Sequence, residues 1–325
     1  MKALGLLSGG LDSTLATKLV LEGGLQVEAI NFVTPFCLCR KGGCGASEAA
    51  KTFNIPLKMV NAGNDYLKMV RNPKFGYGKN LNPCVDCRIF MLRKAKKYAR
   101  KIGAKFIFTG EVLGQRPMSQ YKEALHLIEK ETGLEGRILR PLSGKLLPKT
   151  EAEIKAFINN GALRDISGRS RKRQIELIRE FNITNYPCSA GGCLLTDKEF
   201  AKKLRDLFQH KVRVTVKDIF LLKIGRHFRF GKNRIIIGRN EAENNRLLNS
   251  KQKGDLLFEV PNCGSPITIL KGPKTKAAIE NAARLTAFHS DMKSGNVQVS
   301  FGQESFDRRI TVSVPTLDEV NKLRI

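Results

Sequence analysis

The sequence predicts an α/β fold, a parallel sheet with helices on both faces, followed by a smaller α+β domain. Three observations carry this expectation: strand-like and helix-like segments alternate near the N-terminus, a glycine-rich turn joins the first strand to the first helix, and the pattern turns antiparallel after Thr196. In order, the first segments are "ALGLL" (3–7), "STLATKLVLEG" (13–23), "QVEAINFV" (26–33), "SEAAKTFN" (47–54), "PLKMVN" (56–61), "CRIFMLRKAKKYARKIG" (87–103) and "KFIFTG" (105–110). In open sheets of this kind ligands bind beyond the carboxyl ends of the strands, so the loops after residues 7, 33, 61 and 109 are expected to line the site. Beyond Thr196, "DIFLLKIG", "HFRFG", "NRIIIG", "DLLFEV", "PITILKG", "VQVSFG" and "RITVSV" read as strands, with helices near 197–209, 240–250 and 274–289. A chain of 325 residues suits two domains, here 1–196 and 197–325.

Composition narrows the function classes. Apolar residues make up 42% and charged residues 27%, and no apolar run approaches the roughly 18 residues that span a bilayer. Met1 leads directly into a strand, so a soluble, cytoplasmic chain without a signal peptide is expected, and no membrane partner. The 8 cysteines are few and clustered, which favours metal or thiol chemistry in a reducing compartment over a secreted disulfide framework. Lys and Arg total 57 against 30 Asp and Glu, leaving +27. An excess of that size points to a polyanionic partner, RNA or DNA, although lysine-rich solvated faces also raise net charge. Both halves share it: 32 basic and 16 acidic residues lie up to Thr196, and 25 and 14 after it.

The first loop, "SGGLDST" (Ser8 to Thr14), joins a buried strand to a helix. Its glycines let the backbone approach a ligand, its hydroxyls can bond phosphate oxygens, and the helix start offers free N–H groups and a positive dipole end. No lysine follows the glycines, so this is not the Walker pattern, nor has it the dinucleotide spacing. It resembles the SGGxDS loop of the PP-loop ATP pyrophosphatases, which share an adenine nucleotide α-hydrolase-like fold. The resemblance implies cleavage of ATP between its α and β phosphates, which adenylates an acceptor. It assigns Ser8, Gly9, Gly10, Asp12, Ser13, Thr14 and Gly110 to the nucleotide, with Asp12 near Mg²⁺.

Eight residues of the chain bear thiols, and their spacing matters. Cys84 and Cys87, in "NPCVDCRIF", follow Pro83 at a predicted helix start, where thiol pKa values fall. Cys188 and Cys193 lie in "YPCSAGGCLLT" about a hundred residues later. A C-x2-C pair followed by a distant cysteine resembles the tRNA thiolases of the PP-loop superfamily. There the three thiols hold an iron–sulfur cluster with an open iron, expected to be 4Fe–4S in type, or shuttle a persulfide. The stretch "AGGCLLT" is similar to that of relatives in this group, and the resemblance implies Cys193 as the third thiol with Cys188 the reserve. Zinc held by four thiolates, Cys84, Cys87, Cys188 and Cys193, is the alternative, and it would be structural. "PFCLCRKGGCG" carries Cys37, Cys39 and Cys44 at the end of the second strand, as a second metal site, a sulfur acceptor or packed thiols. Cys263 reads as a small buried hydrophobe.

The same resemblance extends through "GAKFIFTGEVLGQRPMSQ" (103–120) and "RILRPLSGKLLPKTEAEI" (137–154). Thr109 and Gly110 match the family's strand-end Thr-Gly, while Glu111 stands where the 2-thiouridine synthases have His. Arg116 and Lys149 are candidate phosphate or RNA contacts, as are Arg171, Lys172 and Arg173 in "GRSRKRQ". The stretches "RIIIGRNEAENNRLL" and "KAAIENAARLTAFHSDMKSGNVQVSFG" resemble the RNA-binding domain of the NFACT proteins. That resemblance puts His227, Arg229, Arg239, Asn240 and Asn244 on a nucleic-acid face; His210 and His289 have no assigned partner.

Together these features lead to ATP-dependent tRNA thiolation, in which a uridine carbonyl oxygen is adenylated and then replaced by sulfur from Cys84, Cys87 and Cys193. The target base would be flipped towards the strand ends. Free sulfide, a cysteine desulfurase or a carrier protein could supply the sulfur. Two other classes stay open: a non-catalytic RNA- or ribosome-binding factor with structural zinc, and a PP-loop ligase that adenylates a small molecule.

Overall fold

A computed structural model describes residues 1–37, 45–183, 193–292 and 295–325; Cys39, Cys44 and Cys188 lie outside them. The chain divides into two compact units, Met1–Asp197 and Lys198–Ile325. Among the described residues no helix is long and apolar enough to cross a membrane.

The first unit contains β1 (Lys2–Leu6), α1 (Leu11–Glu22), β2 (Gln26–Val33), α2 (Gly45–Thr52), β3 (Leu57–Asn61), α3 (Asn64–Arg71), α4 (Cys84–Lys101), β4 (Ile107–Thr109), α5 (Lys122–Thr132), β5 (Ile138–Leu139), α6 (Glu151–Ile154) and α7 (Lys172–Glu180). Its five strands are parallel in the order β3-β2-β1-β4-β5. The chain steps outward from β1 to β3, then returns to the other side of β1, so the crevice between β1 and β4 is the switch point where ligands bind in such sheets. Alternation along β1 sends Leu4 and Leu6 under α4, beside Ile89, Leu92 and Ala95, and Ala3 towards Ala16 and Val20 of α1. Gly5 is a packing necessity: a Cβ there would meet the Phe108 ring at 2.4 Å.

The second unit contains α8 (Lys198–His210), α9 (Val216–Leu222), β6 (Arg226–Phe230), β7 (Asn233–Ile237), α10 (Glu241–Ser250), β8 (Leu256–Glu259), β9 (Thr268–Lys271), α11 (Lys276–Phe288), β10 (Asn296–Gly302), β11 (Arg308–Ser313) and α12 (Leu317–Leu323). Its sheet has six strands, ordered β11-β10-β8-β9-β7-β6, all antiparallel neighbours. The alanine face of α11 (Ala278, Ala282, Ala283) lies against Phe228, Phe258, Leu270 and Val299.

"DIFLLKIG" departs from its predicted strand: Asp218 to Leu222 are helical, in α9. The Thr215 hydroxyl and the Asp218 carboxylate form a reciprocal capping box, with Thr215 N–H donating to Asp218 Oδ2 at 2.8 Å. That start signal outweighs the β propensity of an Ile-Phe-Leu run. The helices α3, α5, α7 and α12 were not anticipated either. α8 is anchored by one carboxylate, since Asp206 receives Arg229 from β6 and Arg234 from β7. Burial pushes the Asp206 carboxyl up, but hydrogen bonds from the two guanidinium groups hold it below the usual carboxylate range.

Asp206→Ala is expected to destabilise the protein by roughly 3 kcal/mol in urea unfolding, because it takes the carboxylate from the buried Arg234 and the half-buried Arg229. Since the folded pKa is depressed, the contribution is present above the unfolded carboxylate value, about 3.9. It is lost as pH falls through the lower folded value. The difference between wild type and variant should therefore shrink below about pH 4; a constant difference down to pH 2 would refute the assignment.

Candidate active site

Local geometry explains the first loop. Ser8 N–H donates to Ser13 Oγ at 3.2 Å, Ser13 Oγ donates to Gly10 O at 2.9 Å, and the two serine hydroxyls lie 3.0 Å apart. Gly9 has φ +75°, and a Cβ there would meet Ala46 N of α2 at 2.1 Å, so the loop is held against α2 by close backbone approach. Gly110, directly after β4, is as constrained, with Ser13 N 2.5 Å from its notional Cβ. The loop after β1 and the end of β4 thus face each other across the switch point. Thr14 is buried and turns its hydroxyl to Gly10 O at 3.1 Å, which makes it part of the loop's frame.

Asp12 stands in the first turn of α1. Burial raises its pKa, opposed by Arg171, Gln115, Arg116 and Gln174. Gln174 Nε2 lies 3.4 Å from Asp12 Oδ1. The amide oxygens of Gln115 and Gln174 are buried and have no hydrogen-bond partner among the described residues. A carboxylate kept from water beside two unpaired acceptors is a setting that a divalent cation or a ligand N–H or O–H would complete. Neither glutamine was singled out from the sequence; Gln115 follows the strand-end segment and Gln174 closes "GRSRKRQ".

The thiols come together from distant parts of the chain. Cys84 is the first residue of α4 and Cys87 lies in its first turn. Cys193 is brought to them by Leu81 N–H donating to Leu195 O at 3.1 Å and by Asn80 Nδ2 donating to Thr196 O at 2.8 Å. Cys37 pairs across an antiparallel bridge with Cys193; Cys39 and Cys44, grouped with it by sequence spacing, lie outside the described residues. It lies within electrostatic reach of Cys87, Cys193 and Tyr66. Tyr66, absent from the sequence-based candidates, is 2% exposed, and its hydroxyl donates to Cys87 Sγ at 3.1 Å. Only the amphipathic spacing of α3 could have marked it as buried.

The expected low thiol pKa values do not hold for these groups. Burial pushes Cys84 up against the opposing pull of Arg88 and Arg116, pushes Cys87 up despite the Tyr66 hydrogen bond, and raises Cys193 to about 12. Desolvation penalises a thiolate more than the helix start favours it. Among the described residues, no three His, Cys, Asp or Glu side chains are placed to hold a single metal ion.

Arginines connect the two halves of the site. Arg116 is exposed and acts electrostatically on both Asp12 and Cys84, so it stands between the loop and the thiols. Arg88 follows Cys87 and pairs with the buried Glu111 at 3.2 Å, and Arg140 Nε reaches the other oxygen of Glu111 at 3.1 Å. Burial pushes Glu111 up, but the two guanidinium groups more than offset it and keep the carboxylate charged.

Of the remaining basic candidates, Arg171 joins Asp12. Lys172 and Lys149 are exposed, and Arg173 pairs with Glu176 at 2.8 Å. In the second unit Arg229 is bound to Asp206 and Arg239 to Glu243. Asn240 caps α10 by accepting from Glu243 N–H at 3.0 Å, and Asn244 Oδ1 accepts from Ile267 N–H at 3.0 Å. His227 is 1% exposed with Nε2 2.8 Å from Ile224 O. His227 therefore belongs to the packing of the sheet and not to an open face. His210 Nδ1 lies 2.8 Å from Asp206 O.

Each of the two units has a match among known protein families. Residues 1–154 match the family described as thiamine biosynthesis protein (ThiI), and residues 225–324 match the NFACT protein RNA binding domain. Both resemblances read from the sequence are thus met. Individual relatives are proteins named "Probable tRNA sulfurtransferase". That of Thermoanaerobacter sp. (strain X514) is 31% identical over 157 residues, 46% of this chain and 38% of its own length. That of Thermococcus kodakarensis is 30% identical over 152 residues, 44% and 37% respectively. The chain therefore spans less than two thirds of the length of these relatives. A solved 4-thiouridine synthetase–RNA complex with bound ATP is 27% identical, covering 68% of this chain and 52% of its own, with a TM-score of 0.35.

Two outcomes test the site. Gly110→Ala forces a Cβ onto backbone atoms of α1 and should lower stability by roughly 1–3 kcal/mol. Gly10→Ala should be nearly silent, since its nearest neighbour would be Ser8 Oγ at 3.6 Å; equal melting temperatures for the two variants would contradict the packing. In metal-free protein, iodoacetamide should label Cys193 at neutral pH more than about tenfold more slowly than glutathione. Rapid labelling followed by peptide mass spectrometry would show that burial does not control this thiol.

Proposed function

We propose that the protein is an ATP-dependent tRNA sulfurtransferase that adenylates a uridine carbonyl oxygen and replaces it with sulfur. The observation that carries this reading is the position of Arg116, electrostatically coupled to Asp12 of the nucleotide loop and to Cys84 of the thiol group. One guanidinium between the two suits an enzyme that activates an oxygen at one point and substitutes it at the next. A ligase acting on a small molecule would need no thiols there.

In this reading Ser8, Gly9, Gly10 and Ser13 cradle the phosphates of ATP, and Asp12 would hold a Mg²⁺ ion, which would supply charge neutralisation for pyrophosphate departure. The uridine oxygen attacks the α phosphorus, pyrophosphate departs, and Arg116 and Arg171 offset the charge that develops. Adenylation converts a poor oxygen leaving group into AMP. Cys84, Cys87 and Cys193 would hold an iron–sulfur cluster, which when bound supplies the sulfur nucleophile that displaces AMP. The donor set suits such a group in kind: Cys84, Cys87 and Cys193 lie within electrostatic reach of one another, and thiolates are the usual ligands of iron–sulfur clusters.

The tRNA phosphates would be met by the net charge of +27, by Lys149, Arg171, Lys172 and Arg173, and in the NFACT-like unit by cations other than Arg229 and Arg239, which are held by Asp206 and Glu243. Helix α4 adds seven basic residues against one acidic, and Arg93, Lys97, Arg100 and Lys101 are exposed.

Anaerobically purified protein with tRNA, Mg²⁺ and sulfide should convert ATP to AMP and pyrophosphate. Arg116→Ala should reduce that turnover by roughly 100-fold. A Cys84→Ala, Cys87→Ala double variant should lose iron and thiolation but keep tRNA-dependent AMP formation. No AMP formation under any condition would favour an RNA-binding factor without catalysis. Because Asp12 is raised by burial, protons and Mg²⁺ compete for it; more Mg²⁺ should move the acid limb of turnover to lower pH. An acid limb indifferent to Mg²⁺ would remove Asp12 from the metal.

A further inference from the structure

We infer that Cys37 holds no cluster itself and closes a reversible disulfide with Cys193. The backbone carries this inference. Cys37 and Cys193 face each other in an antiparallel bridge, and the adjacent hydrogen bond runs from Leu194 N–H to Phe36 O at 3.0 Å. A bond between the flanking residues marks Cys37 and Cys193 as a non-hydrogen-bonded pair. In such pairs the Cα atoms stand about 4.5 Å apart and the side chains lean together on one face. A disulfide needs Cα atoms roughly 4.4–6.8 Å apart, so it can form here without moving either strand. Thr34 fixes the Cys37 sulfur, with its N–H 3.4 Å and its Oγ1 3.3 Å from Sγ.

The neighbouring thiols are less suited. Cys87 Sγ is engaged by the Tyr66 hydroxyl, and Cys84 shares its helical turn. Cys37 and Cys193 are both half-buried, so a small oxidant can reach them.

The chemistry requires a two-electron oxidant, here a low-molecular-weight disulfide. The thiolate of one cysteine attacks a sulfur of glutathione disulfide, forming a mixed disulfide and releasing one glutathione. The second cysteine, on losing its proton, displaces the other glutathione and completes the Cys37–Cys193 bond. Two thiols are oxidised and one disulfide is reduced. If the reading above holds, the bond withdraws Cys193 from the cysteines that hold the cluster, so loading is gated by the redox state of Cys37.

The test begins with full-length protein stripped of metal by a chelator and treated with glutathione disulfide or with dithiothreitol. Non-reducing peptide mass spectrometry should find a peptide linking Cys37 to Cys193 only after oxidation, and none in Cys37→Ser. A Cys84–Cys87 link, or glutathione adducts with no internal bond, would overturn the proposal; neither result depends on the variant folding. The oxidised wild type should then take up several-fold less iron on anaerobic reconstitution with iron and sulfide than the reduced protein, while oxidised Cys37→Ser loads fully. Equal loading of oxidised and reduced wild type would overturn the gating. If no form ever takes up iron, the cluster reading fails while the mapped bond stands.

Discussion

The carboxylate of Glu111 is the interaction on which the first unit's site depends. It is 1% exposed and lies just beyond β4, where it joins Thr109, Arg88 and Arg140, and Arg140 continues to Glu129 of α5 at 2.5 Å. A single buried charge thereby fixes the end of a central strand and the helix that carries Cys84 and Cys87. Removing one partner would strand charges away from water, which typically costs several kcal/mol. The position that departs from the histidine of the 2-thiouridine synthases is therefore occupied by a group with a structural reason of its own. It orients the arginine next to the thiols.

Much of this was legible in the sequence where the physics is local. The loop "SGGLDST" combines a strand end, two glycines and a helix start, and each feature is a short-range property. The parallel sheet followed from the alternation of segments, and the antiparallel unit from the strand-like runs after Thr196. What sequence reading missed depended on tertiary neighbours. Gln115 and Gln174 matter because they meet Asp12, and Tyr66 because α3 places it on Cys87. Cys37 meets Cys193 through a bridge between segments more than a hundred residues apart, a neighbour that spacing along the chain does not show. Thiol pKa values were misjudged for the same reason, since helix starts are visible in sequence and burial is not.

The second unit shows the limits of counting charge. It carries 25 basic residues against 13 acidic, yet Arg229 and Arg234 are held by Asp206, and Arg239 by Glu243. Ion pairs of this sort build the α8–sheet and β7–α10 junctions. Their cations are not freely available to a phosphate backbone, and contact with one would have to compete with an existing carboxylate. The contribution of the unit to polyanion binding thus rests on which cations are left over, not on the sum.

The link from Leu81 to Leu195 has a consequence for how the protein is made. The two thiols of α4 leave the ribosome more than a hundred residues before Cys193, and closing a loop of that length carries an entropic cost that the sheet must first be in place to offset. The thiol site is consequently among the last features of the first unit to assemble. A nascent chain presents Cys84 and Cys87 without their partner, and only the docking of residues 193–196 commits them to a common centre.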